Sequence, residues 1–111
     1  MQFIRLYTGS DGTSHIEPRN IEEHPELAEL KSATGIVFRV SQPGHFWDWH
    51  PAPRRQYVIT LQGEGEIGLE DGTLYRLRAG DVILAEDLTG KGHTTRVVSE
   101  VPRILATVSL A

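Results

Sequence analysis

Residues Gly44–Ile67 read GHFWDWHPAPRRQYVITLQGEGEI, and Arg78–Val97 read RAGDVILAEDLTGKGHTTRV. Within the first stretch, Gln56–Gln62 alternates: Tyr57, Ile59 and Leu61 share one face, Val58 and Thr60 the other. Period-two alternation is the signature of a half-buried strand. Gly63 turns the chain, Glu64–Glu70 alternates again, and Asp71-Gly72 is a two-residue hairpin signal. Thr73–Arg78 returns, Ala79-Gly80-Asp81 turns, and Val82–Ala85 is a short apolar strand. The polar, glycine-rich run Glu86–Gly92 then leads into Thr94–Ser99 and Arg103–Leu110.

Working outward, Ile36–Ser41 is rich in β-branched and aromatic residues and reads as a strand. Gln2–Thr8 reads as the first strand, closed by the turn cluster Gly9–Gly12. Pro18–Lys31 is the only helix candidate. Asn20 would cap it, with Glu23 three residues on, and Pro25 limits it. Short strands at near-regular spacing predict an all-β sandwich or barrel.

The chain has 111 residues, 39% of them hydrophobic, which fits one domain with one modest core. No repeat, linker or low-complexity tract divides it. The net charge is −4 and no basic run is present, so a nucleic-acid partner is not expected. There is no cysteine, hence no disulfide framework and no thiol chemistry. The first residues, MQFIRLYTGSDG, lack the apolar core of a signal peptide, and no apolar run reaches the ~20 residues of a membrane span. A cytoplasmic location without membrane association is the expectation.

The segments Trp49–Ile67 and Ala79–Val97 resemble the two signature motifs of the cupin superfamily, G-x5-H-x-H-x3–4-E-x6-G and G-x5-P-x-G-x2-H-x3-N. The resemblance covers about half the chain, residues 44–97. It implies a single-domain jelly-roll β-barrel over residues 1–111. In many members the three histidines and the glutamate hold a divalent metal. Here Gly44 and His50 match the first motif, Ala52 stands at the second histidine, and Gln56 stands at the glutamate, with six residues between it and Gly63. In the second motif Gly80 and His93 match, across a loop two residues longer than the pattern. Glu86, Leu88 and Val97 replace the proline, glycine and asparagine.

On that resemblance the metal candidates are His50, Gln56 and His93, for zinc, iron, manganese or nickel. A second register uses Asp48, which with His50 forms D-x-H on one strand face and could serve as ligand or base. Arg54 shares parity with His50 and Gln56 and is the candidate for a substrate carboxylate. Each has an ordinary alternative: hydrogen-bonded histidines in a metal-free pocket, a solvated Asp48, a surface ion pair for Arg54. The loop Thr89–Gly92 lacks the spacing of a phosphate-binding P-loop.

The residues leave two functions open. One is a small-molecule-binding protein with a divalent metal, acting as a dioxygenase, isomerase or lyase on a small polar or acidic compound. The other is a metal-free, non-catalytic ligand-binding module. A homodimer is expected through the outer sheet face, where Trp47, Trp49, Tyr57, Ile59 and Leu61 carry the parity opposite to the pocket residues. The first strand, Phe3–Tyr7, would add edge pairing.

Overall fold

The computed structural model describes residues 1–111. The strands are β1 (Phe3–Thr8), β2 (Ser14–Pro18), β3 (Ala33–Ser41), β4 (Phe46–His50), β5 (Gln56–Gln62), β6 (Gly65–Gly68), β7 (Leu74–Leu77), β8 (Val82–Glu86), β9 (His93–Val97) and β10 (Arg103–Leu110). They form a six-stranded sheet, β2-β1-β8-β5-β10-β3, and a four-stranded sheet, β4-β9-β6-β7. Every pairing is antiparallel except β1 with β8, which run parallel from Phe3↔Val82 to Tyr7↔Glu86.

One apolar cluster joins the sheets. Ile4, Leu6, Ile83 and Ala85 come from the larger sheet, Ile67 and Leu77 from the smaller. Ile4 and Leu6 alternate with the outward residues of β1, as the strand pleat requires. No ladder links one sheet to the other, so the expected jelly-roll barrel is a two-sheet jelly-roll sandwich, open at its edges.

Residues Pro18–Lys31 contain no α-helix. Only a 3₁₀ turn forms, Pro25–Ala28. Pro25 lacks the N–H that a continuing helix would need. The Asn20 side chain instead accepts a hydrogen bond from the Glu22 N–H at 2.9 Å, a local turn that competes with helix. Strand β2 escaped the sequence reading because SHIEP has weak alternation; its ladder with β1 defines it. That ladder also corrects the role expected for β1. It lies between β2 and β8 and offers no free edge.

The Asp71-Gly72 hairpin has a three-residue loop rather than two. The Leu69 N–H donates to Thr73 O at 2.9 Å, the Gly72 N–H donates to Leu69 O at 3.0 Å, and only Gly72 has positive φ, +91°. A type I turn closed by a left-handed glycine satisfies those bonds.

Strand β4 carries the irregularity that matters for the site. Its register with β9 runs Trp47↔Thr95 and then His50↔His93, so three steps on β4 oppose two on β9. The extra residue is a β-bulge, which re-aims the side chains on either side of it.

Candidate functional site

A cavity of about 340 Å³ lies between the sheets, lined by residues from eight of the ten strands. Leu6, Val58, Ile67, Ile83 and Leu105 form aliphatic walls. His50, Gln56, His93 and Arg54, which the sequence singled out separately, all line it. Two clefts on the outer surface contain no histidine.

The imidazoles sit side by side, ring centroids 4.6 Å apart and planes tilted by 55°. His50 ends β4, and its Nδ1 lies 2.7 Å from the Asp48 backbone carbonyl. His93 begins β9 and is buried. Its Nδ1 lies 2.6 Å from Asp87 Oδ2, which also accepts the Ser14 hydroxyl at 2.7 Å. Asp87 is fully buried. A carbonyl oxygen and an ionised carboxylate only accept, so Nδ1 donates in both rings. In the neutral rings each Nε2 is then a lone-pair acceptor. Gly92 makes the juxtaposition feasible. Its φ is +80°, and a Cβ there would collide with the His50 carbonyl carbon and oxygen.

Gln56 makes no side-chain hydrogen bond within the chain, which leaves its amide free for a ligand. Arg54 enters from the loop between β4 and β5 and has no carboxylate partner.

Asp48 is corrected by the structure. It is exposed, does not line the cavity, and its Oδ1 accepts the Trp49 N–H at 2.8 Å. Trp47 is corrected in the opposite sense: it lines the cavity. Both corrections have one cause, the bulge between Trp47 and His50, which defeats simple parity. Trp49 does face outward, 38% exposed, with Lys91 Nζ 4.3 Å above its ring.

Three residues of the site were not singled out in the sequence. Asp87 looked like part of a polar loop; Ser14, which fixes it, is 73 residues away. Arg39 on β3 and Arg103 on β10 also line the cavity. Arg103 did leave a signal, because Arg103, Leu105 and Thr107 share parity on one strand and all three face the cavity. Arg103 is 2% exposed and Nη2 donates to Thr60 Oγ1 at 3.0 Å. Burial pushes its guanidinium down to about 10 from 12.5.

The metal expected at His50, Gln56 and His93 is met by a donor set that does not fit a resident divalent cation. No acidic residue lines the cavity, and nowhere do three or more His, Cys, Asp or Glu side chains come together at metal-binding distance. Two imidazoles and a neutral amide would share the cavity wall with three arginines, Arg103 buried and Arg39 and Arg54 exposed. Resident cations of this kind are held by anionic donors or by three imidazoles, and neighbouring positive charge opposes them.

The sequence matches no protein-family model. It matches no curated protein either. Solved structures do share its fold. A double-stranded β-helix protein from Klebsiella pneumoniae aligns at 25% identity and a TM-score of 0.55, over 71% of this chain and 69% of that one. A conserved protein from Streptococcus pyogenes aligns at 22% identity and 0.52, over 74% and 68%. The cupin domain of Drosophila melanogaster CENP-C aligns at 14% identity and 0.54, over 95% and 69%. The two-sheet jelly roll, the histidines facing its interior and these structural relatives together identify the fold of this chain as that of the cupin superfamily.

Proposed function

We propose that this protein binds a small organic molecule between its sheets, without a resident metal, and that His50, His93 and Gln56 orient the ligand. The observation that carries this reading is the pair of imidazoles whose Nδ1 atoms are held by protein acceptors while both rings line the cavity. Such a pair accepts hydrogen bonds from ligand hydroxyl or amide groups, and the aliphatic walls bury the rest. The volume corresponds to about ten water molecules, enough for a small metabolite.

The reading is tested by native mass spectrometry and calorimetry on untagged protein. Co-purification or titration of a small organic ligand, lost in His50→Ala with His93→Ala, supports it. Stoichiometric binding of zinc or nickel to the wild type, abolished in the same variant, replaces it with the metal-centre reading.

The homodimer is retained as part of this proposal, with its surface moved to β3. That strand is an edge of the larger sheet. Ile36, Phe38 and Val40 are 60–65% exposed along one face. A long apolar edge strand is a template for pairing, and two antiparallel copies about a two-fold axis are self-complementary. Val37 and Arg39 line the cavity from the same strand, so a partner copy would also close its flank.

A further inference from the structure

The charge along the cavity wall is unbalanced. Seven of the eleven lysines and arginines lie within 4.0 Å of a carboxylate. Of the four that do not, Arg96 stacks on Phe46 at the surface, 4.5 Å from the ring centroid. The other three line the one cavity, Arg39 and Arg54 as exposed residues and Arg103 buried, in a chain whose net charge is −4.

Arg103 is the most telling. Its guanidinium lies over Gly65, where a Cβ would collide with it. Its one protein partner is the neutral Thr60 hydroxyl, and its buried Nε has no partner at all. A buried cation without a counter-charge is costly, and it persists where something in the functional state compensates it. Arginine presents a planar fork of donors that matches a carboxylate in two parallel hydrogen bonds.

We propose that Arg103 anchors the carboxylate of an amphiphilic organic acid, whose apolar body lies along Val58, Ile67, Ile83 and Leu105 toward the His50–His93 pair. The proposal rests on the small-molecule reading and names the ligand class for the same cavity. Strand register sets the length. Gly65 pairs with Val97, four residues along β9 from His93. At 3.3 Å per residue that separates the guanidinium end from the imidazole end by about 13 Å. A straight chain of roughly eight carbons spans most of it. The aliphatic walls disfavour inorganic phosphate, which has no apolar body to bury.

The test is calorimetric titration of the full chain with sodium octanoate, 1-octanol and inorganic phosphate. Octanoate is expected to bind with one site per chain, at least tenfold tighter than octanol, with phosphate silent. Arg103→Met is expected to cost octanoate at least tenfold and to leave octanol unchanged, while its melting temperature stays level or rises because an uncompensated buried charge is gone. Arg103→Lys is expected to fall between the two, and Arg96→Met to bind as the wild type does. Octanol binding the wild type as tightly as octanoate overturns the anchor and leaves the ligand cavity standing; this comparison needs no variant. Phosphate binding without octanoate overturns the apolar body. Binding of none of the three overturns this inference together with the reading beneath it.

Discussion

Asp87 Oδ2 lies 2.6 Å from Nδ1 of His93, and neither residue is exposed. The carboxylate stands behind the ring, outside the cavity lining, and so sets which imidazole nitrogen faces the cavity. A histidine held this way keeps one orientation and one tautomer.

Asp87→Ala is therefore expected to lower stability by about 3 kcal/mol, since it leaves Nδ1 and the Ser14 hydroxyl without their acceptor. Ser14→Ala removes a single bond and is expected to cost about 1 kcal/mol. Chemical denaturation of the two variants measures both figures. Equal losses would show that the His93 bond contributes nothing beyond the Ser14 bond.

Gly92→Ala tests the juxtaposition of the histidines. A methyl group would meet the His50 carbonyl, on a backbone with φ near +80° that L side chains rarely adopt. We expect a loss of about 2 kcal/mol or more, with broadened ligand-site resonances of His50 and His93 by NMR. A variant as stable as the wild type, with unchanged histidine resonances, would show that the loop yields freely.

Glu86 gives a pH dependence. Burial raises its carboxyl, but hydrogen bonds from Arg5 and Arg55, the latter at 2.8 Å, outweigh that and hold it below 4.5. With the folded value below the unfolded one, the stabilisation is present above about 4.5 and is lost as pH falls through the folded value. Glu86→Gln is expected to melt lower than the wild type at neutral pH, and the difference is expected to close in acid. Melting curves from neutral pH down to about pH 3 measure it, and a constant difference across that range would contradict the ion-pair account.

Gln56→Glu supplies the anionic donor that the cavity lacks. It is expected to raise affinity for zinc or nickel about tenfold or more over the wild type, because charge-assisted contacts are the stronger ones. Titration calorimetry with each metal checks it. Unchanged affinity in a folded variant would mean that Gln56 does not reach the cation held by His50 and His93.

The dimer proposal is checked by light scattering at micromolar concentration. The wild type is expected at twice the chain mass, and Phe38→Lys, which places charge on the exposed face of β3, at the monomer mass. Trp49→Lys is expected to leave the dimer intact, in contrast to what sequence parity implied. A monomeric wild type would withdraw the interface.

The parts of this protein written in its sequence are the local ones. Alternation in Gln56–Gln62 defined β5 to the residue, because the pleat period acts on neighbours along the chain, and the run Arg103–Leu110 matched β10. His50, Gln56 and His93 were legible as candidates through the resemblance of their motifs to those of cupins, Arg54 through strand parity, and all four line one cavity. What only tertiary structure decided depends on distant partners. The bulge in β4 exists relative to β9, and it exchanged Trp47 for Asp48 at the cavity wall. Asp87 became a positioning residue through Ser14, and Arg103 an unpaired buried cation through what does not surround it. A sequence displays each residue's charge and its neighbours along the chain. Whether that charge is compensated is a property of the space around it, and only the packed sheets define that space.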